Sequence, residues 1–165
     1  MRLKPVIVIS CVLALAVGAT VAAVGGASAP GPSARSGSGV APHLAHPARA
    51  AKRLVTRFFD LAERKEVARL RRFLSPAFQV ERADGSGSEK ARFLRSLPTI
   101  ERFRLSRLHV THTDAVLVVR YRATVRGVVH GHPYTPGPAP RLSTFDWNGR
   151  RWQLAAHANF NALTG

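Results

Sequence analysis

The chain has 165 residues, of which 45% are hydrophobic, which is enough for one folded domain and argues against disorder throughout. Its formal net charge of +16 comes almost entirely from arginine and favours anionic partners. No arginine-rich block alternates with aromatic residues, so a specific nucleic-acid interface is not predicted, and the single cysteine, Cys11, excludes an intrachain disulfide.

The first 29 residues have the layout of an export signal. Arg2 and Lys4 precede an apolar run over residues 6–24, and residues 27–29 read Ala-Ser-Ala, a small-x-small cleavage pattern. A run of this length is also long enough to remain as an uncleaved membrane anchor. Both alternatives place the rest of the chain outside the cytoplasm, either secreted or attached to the cell membrane.

Residues 30–47 are rich in Pro, Gly, Ser, Ala and His and read as a flexible linker, so the folded domain is expected over residues 48–165. Apolar residues at spacings of three and four predict helices at the start of this domain. The three predicted helices span residues 48–65, 66–74 and 88–96, with Ser88 as the N-cap of the third. A short strand over residues 78–82 separates the second helix from the third.

The second half of the domain is predicted to be sheet. Residues 100–111 alternate with one out-of-phase step near Ser106, which indicates a β-bulge. Residues 115–129 alternate cleanly, which predicts a strand with one buried face. The members of that face are Leu117, Val119, Tyr121, Ala123 and Val125. Residues 130–139 are too rich in Gly and Pro for regular structure and are expected to form a loop.

A hairpin over residues 141–161 is the last predicted element, with a two-residue turn at Asn148-Gly149. This register pairs Trp147 with Arg150, Asp146 with Arg151, and Phe145 with Trp152. Strict alternation then places a set of apolar residues on the core face, namely Trp152, Leu154, Ala156, Ala158 and Phe160. It places His157 and Asn159 on the opposite face, unless a bulge before His157 turns them inward.

Helices early and strands late indicate an α+β domain. Three segments in order, RFFDLAERKEVARLRRFLSPAFQVERADGS, AVLVVRYRATV and RWQLAAHANFN, make the chain resemble the SnoaL-like branch of the nuclear transport factor 2 superfamily. The resemblance implies a cone-shaped fold, with three N-terminal helices packed on a curved antiparallel sheet, an enclosed pocket and dimerisation through the outer sheet face. Members include isomerases, dehydratases and cyclases as well as non-catalytic binding proteins, so the fold leaves the activity open.

The small alanines of the hairpin suggest a hollow beside larger core residues. The predicted ligand pocket comprises Tyr121, Phe145, Trp152, Ala156, Ala158, Asn159 and Phe160. Enzymes on this fold use a carboxylate or histidine as base, which makes His157 and Asp60 the catalytic candidates, with Tyr121 polarising a carbonyl group. The pairs His43/His46 and His130/His132 have no carboxylate or thiolate in the same segments, so neither a metal site nor a cofactor is predicted.

Three functions are kept open. A cone with few acids placed for chemistry favours an exported or membrane-anchored, non-catalytic domain that binds a small apolar ligand or a protein partner, as a homodimer. The second is an isomerase, dehydratase or cyclase acting on a hydrophobic carbonyl compound. The third is a basic module that attaches to anionic envelope components, and it rests on charge alone.

Overall fold

The structure, a computed structural model, describes residues 39–161. The helices are α1 (Pro47–Glu63), α2 (Val67–Phe73) and α3 (Lys90–Arg95). The strands are β1 (Leu74–Arg82), β2 (Gly87–Glu89), β3 (Thr99–His112), β4 (Val116–Val129), β5 (His132–Pro133), β6 (Ala139–Trp147) and β7 (Trp152–Asn159). The expected export segment lies outside the described residues, and within them no helix is long and apolar enough to cross a membrane.

The strands form one sheet in the order β2-β1-β7-β6-β4-β3, with β5 paired to β4. Every pair is antiparallel except β1 and β7, which run parallel, so the expectation of a wholly antiparallel sheet is wrong for this pair. Parallel neighbours require a crossover connection. The chain from β2 to β6 forms that crossover. The last strand, β7, therefore pairs with the first strand, β1.

Helix α1 covers the concave face of the sheet. It begins at Pro47, whose fixed φ suits the first turn of a helix. Its buried stripe includes Val55, Phe58 and Phe59, and the Phe59 ring stacks on Phe103 of β3 with centroids 5.0 Å apart. The amphipathic period predicted this helix correctly, because one stripe of side chains is enough to dock it on the sheet.

The prediction for β4 is confirmed, since the five residues assigned to its inner face are buried. The predicted bulge in β3 is also confirmed. The register with β4 shifts between Ser106 and His109, and Arg107 takes a positive φ of 52°. The sequence signal was reliable here because two alternating stretches of β3 were visibly out of phase.

The predictions for Ser88 and for residues 130–139 were wrong. Ser88 does not cap α3, because it lies in β2 and pairs with Val80 of β1, and no side chain caps this helix. Residues 130–139 are not wholly irregular. His130 and Gly131 have φ values of 48° and 88°, which turn the chain so that β5 pairs back onto β4.

The turn of the β6–β7 hairpin is wider than predicted. Trp147 pairs with Trp152, so the loop has four residues and the predicted register is displaced by two. The Asn148 side chain explains the wider loop, since its Oδ1 accepts hydrogen bonds from the backbone N–H groups of Arg150 at 3.1 Å and Arg151 at 3.0 Å. Across the ladder the two tryptophan rings meet edge to face at 5.7 Å.

This register also separates a predicted ion pair. Asp146 pairs with Gln153 rather than Arg151, and its Oδ2 accepts a hydrogen bond of 3.2 Å from Ser75 Oγ. The predicted contact between Asp146 and Arg151 is therefore wrong.

A bulge at Ala155 inverts the alternation of β7. Phe145 pairs with Leu154 while the preceding residue, Thr144, pairs with Ala156, so Ala155 is an extra residue. One extra residue moves every following side chain to the other face of the sheet. His157 and Asn159 therefore point to the buried side, and Ala156, Ala158 and Phe160 belong to the outer face, with Phe160 56% exposed.

Candidate functional site

Four buried polar residues form a row across the concave face of the sheet. The strand register places Arg82 of β1 beside Asn159 of β7, Asn159 beside Arg141 of β6, and Arg141 beside Tyr121 of β4. All four are buried. Because neighbouring strands are only ~4.8 Å apart, these residues form one continuous polar line.

Three side chains form a buried hydrogen-bonded chain that begins at Tyr121 of this row. Ser143 Oγ lies 3.0 Å from His157 Nδ1 and 3.1 Å from Tyr121 OH. Burial raises the pKa of Tyr121, so its phenol remains protonated at neutral pH. The hydroxyl groups of Ser143 and Tyr121 each donate one proton and accept others, so the chain is self-consistent with a neutral imidazole.

The environment of His157 opposes its protonation. The rings of Phe58 and Phe59 lie against the imidazole, with centroid distances of 5.0 Å and 6.1 Å. Burial, with a further contribution from the positive charges of Arg141 and Arg82, lowers the pKa of His157 to about 3. The ring is therefore neutral at physiological pH and a weak base.

A cavity of about 30 Å³ lies against these groups. That volume is enough for about two water molecules, or for one small polar group of a ligand. Its polar wall consists of Arg82, Tyr134, Arg141, His157 and Asn159. Its apolar wall, from α1, α3 and the sheet, includes Phe58, Phe59, Phe93, Ile100 and Val125.

The sequence-predicted pocket residues divide between this cavity and other places. Asn159 lines the cavity, and Tyr121 is linked to the cavity residue His157 through Ser143. Phe145 is buried against Phe73 with ring centroids 6.1 Å apart, and does not line the cavity. Trp152 packs on Trp147 at the hairpin end, and the outer-face residues Ala156, Ala158 and Phe160 point away from it.

The catalytic candidates are also separated. His157 lines the cavity, whereas Asp60 is a half-buried residue of α1 that is not among the cavity lining. The structure thus brings His157, Ser143 and Tyr121 together and leaves Asp60 apart. Within residues 39–161, no three or more His, Cys, Asp or Glu side chains are grouped closely enough to hold a metal ion.

Sequence reasoning missed Arg82, Arg141 and Ser143. A signal was present, because Arg82 follows Phe78 and Val80 at alternate positions of one strand face. Arg141 and Ser143 likewise precede Phe145 in phase. An arginine in phase with buried apolar residues indicates a buried charge. The signal is weak, because most arginines in proteins are exposed.

The helices lie over one face of a mixed sheet. No protein-family model and no curated protein matches this sequence. Among solved structures, the chain is similar to a nuclear transport factor 2-like protein from Cytophaga hutchinsonii, with a TM-score of 0.62 and 11% identity over 67% of this chain and 93% of that one. A putative Ca/calmodulin-dependent kinase II association domain from Exiguobacterium sibiricum gives a TM-score of 0.60 at 10% identity, covering 75% and 98%.

A third similar structure is a putative ketosteroid isomerase from Shewanella frigidimarina, with a TM-score of 0.53 and 12% identity over 68% of this chain and 96% of that one. At such identities the similarity establishes the fold alone. The chain has the nuclear transport factor 2-like fold, as the resemblance of its sequence implied.

Proposed function

We propose that this chain is an exported or membrane-anchored, non-catalytic domain that binds a small, largely apolar ligand inside its cone. The observation that carries the proposal is the composition of the cavity wall. It combines phenylalanine rings with arginine, asparagine and tyrosine side chains and contains no carboxylate among the described residues. Pockets that hold small molecules have this pattern of an apolar lining with a few convergent polar groups.

The state of His157 supports a binding role over acid–base catalysis. A general base works best when its pKa lies near the operating pH. His157 has a pKa of about 3, and its Nδ1 already lies within hydrogen-bonding distance of Ser143. Asp60, the other candidate base, is not part of the cavity lining.

An isomerase, dehydratase or cyclase is the second candidate. The linked His157, Ser143 and Tyr121 favour it, because such a chain connects a base to a hydroxyl group able to polarise a carbonyl. The similar structure from Shewanella frigidimarina, itself a putative ketosteroid isomerase, supports the same candidate.

A paired assay separates the two candidates. The full chain is screened by thermal shift and native mass spectrometry against small apolar compounds, and tested for turnover of a β,γ-unsaturated ketone. Binding without turnover supports the proposed role. Turnover that is lost in both His157→Gln and Tyr121→Phe, and retained in the exposed-residue control His130→Gln, would show that the domain is an enzyme.

Export is proposed from the N-terminal segment. Alkaline phosphatase, which folds actively only outside the cytoplasm, is fused after residue 47. Activity of this fusion, and its loss when residues 1–29 are removed, is the expected result. An inactive full-length fusion that accumulates in the cytoplasm contradicts the proposal.

We also propose that the domain is a homodimer. Leu142 and Phe160 are exposed apolar residues on the outer face of β6 and β7, at 39% and 56%. Ala158 pairs with Leu142, and Ala156 lies on the same face of β7, so small side chains flank the exposed residues and leave a surface that a second copy is able to cover.

A further inference from the structure

Among residues 39–161, the cavity wall holds two buried arginines with no acidic partner. Arg82 is 8% exposed and Arg141 is 3% exposed. Arg141 Nη1 donates to the carbonyl oxygen of Pro140 at 2.9 Å, and Arg82 Nη1 lies 3.5 Å from Ser86 Oγ. Both acceptors are neutral. Arginine side chains carry a positive charge in folded proteins, and neither neutral acceptor supplies a counter-charge.

The ion pairs in residues 39–161 lie elsewhere. They join Arg69 to Glu66 on α2 and Arg126 to Glu101 on the sheet, and neither contacts the cavity arginines. A buried charge without a counter-charge destabilises a fold, because water has been removed and nothing of opposite sign replaces it. Two such charges on one wall are therefore expected to have a function.

Both arginines line the same cavity. They flank Asn159 in the strand register, on β1 and β6, so their Cα atoms are separated by about two strand spacings, or ~10 Å. Their charges also act on the same neighbours, since both oppose protonation of His157 and both favour the ionised form of Tyr134. The two guanidinium groups thus place positive potential on one small cavity.

We propose that this cavity binds a small organic carboxylate, with the anionic group between Arg82 and Arg141 and the apolar body against Phe58 and Phe93. This inference rests on the proposed binding function and names its ligand class. A carboxylate matches the planar, paired donors of arginine. Asn159 lies between the two arginines in the strand register, and since its Oδ1 accepts from Asn161 N–H at 2.9 Å, only its NH₂ group is able to donate to an anion. The phenylalanine wall favours an organic anion over a hydrated inorganic one.

The size of the cavity limits the ligand. About 30 Å³ accommodates the carboxylate group alone, so an attached apolar body requires the phenylalanine side chains to move. The probes are therefore three matched pairs of carboxylate and neutral amide: acetate and acetamide, isobutyrate and isobutyramide, benzoate and benzamide. Inorganic phosphate and sulfate serve as the inorganic arm.

The full chain is titrated with each probe by calorimetry and thermal shift. At least one carboxylate is expected to bind tenfold or more tightly than its amide, and more tightly than phosphate or sulfate. Arg82→Gln and Arg141→Gln are each expected to weaken that carboxylate by roughly 10- to 100-fold, because each removes charge-assisted hydrogen bonds. Arg120→Gln, on the exposed face of β4, removes the same charge without touching the cavity and is expected to change affinity less than twofold.

A further variant distinguishes a ligand site from a structural arginine. Arg141→Met removes the charge at similar length, so the ligand-free chain is expected to unfold at an equal or higher temperature, while its stabilisation by carboxylate is lost. A large fall in the unfolding temperature without ligand would assign Arg141 to the fold and overturn the inference. Failure of this variant to fold counts as such a fall, and Arg82→Met applies the same comparison to the second arginine.

The remaining outcomes are also decisive. Amides that bind as tightly as their carboxylates, or a carboxylate affinity unaffected by either glutamine substitution, overturn the inference while leaving the proposed binding function intact. Preferred binding of phosphate or sulfate overturns the organic class. If no carboxylate binds but neutral apolar compounds from the wider screen do, this inference fails alone, whereas failure of every compound removes the proposed function as well.

Discussion

His157 shows how a single side chain is controlled by its surroundings. Phe58 and Phe59 exclude water from its ring, Ser143 bonds to Nδ1, and Arg141 opposes a second positive charge. The folded pKa of about 3 lies below the ordinary histidine value of 6.5. The unfolded chain therefore takes up a proton first as the pH falls, and the stabilisation present above pH 6.5 is lost progressively towards pH 3.

We predict that His157→Gln removes part of this pH dependence. In the parent chain the free energy of unfolding is expected to fall between pH 6.5 and pH 5 by up to about 1.4 kcal/mol per pH unit from this group. Urea unfolding at several pH values measures the slope. The control, His130→Gln, alters an exposed residue and should retain the parent slope. Identical slopes in the parent and in His157→Gln would contradict the prediction.

At the level of elements, the bulge at Ala155 decides what the cavity contains. If Ala155 took a regular place in the ladder, β7 would direct His157 and Asn159 to the outer face and Phe160 to the inner one. The inner face would then lose the hydrogen-bonded chain to Ser143 and the centre of the polar row.

We predict that deleting Ala155 keeps His157 and Asn159 on the inner face, because Leu154 and Ala156 already pair with adjacent residues of β6, and that the deletion costs less than about 3 kcal/mol. Ala155→Ser keeps the strand length and is expected to cost less than about 1 kcal/mol. Chemical unfolding of both variants gives the comparison, and modification of His157 by diethyl pyrocarbonate reports its exposure. Modification of His157 in the deletion variant, or a cost well above about 3 kcal/mol, would contradict the prediction.

Elements with a periodic signal were predictable from the sequence, whereas the short motifs at Asn148-Gly149 and Ser88 misled, and features fixed by distant contacts were not predictable. The period of α1, the alternation of β4 and the phase step near Ser106 are all visible within one segment. The bulge at Ala155 has no glycine to mark it, and appears only when β7 is aligned with β6. The cavity itself depends on the parallel pairing of β1 with β7, which no short stretch of sequence specifies.

At the level of the whole molecule, the chain combines a formal net charge of +16 with an exposed apolar patch around Leu142 and Phe160. Like charges on two copies repel each other, so a dimer through this face has to overcome repulsion by apolar contact. Added salt screens the repulsion and is expected to strengthen association through the patch.

We predict that Phe160→Glu shifts the proposed dimer to monomer, because it places a hydrated charge in the centre of the apolar contact. Sedimentation velocity at two salt concentrations measures the change. Val67→Glu is the matched control, since Val67 is an exposed apolar residue on α2, away from this face. A parent chain that is monomeric at all concentrations, or a dimer unaffected by Phe160→Glu, would exclude this interface.

The parallel pairing of β1 with β7 has a consequence for folding. The polar row joins Arg82, from the first strand, to Asn159, from the last. Any fragment that contains the whole row must therefore include residues 82–159. Contacts between such distant residues form slowly and late. A bound anion would then prolong the lifetime of the native state while leaving the refolding rate unchanged, since it stabilises contacts absent from the transition state. Refolding accelerated by the anion would instead mean that the two ends of the domain meet early.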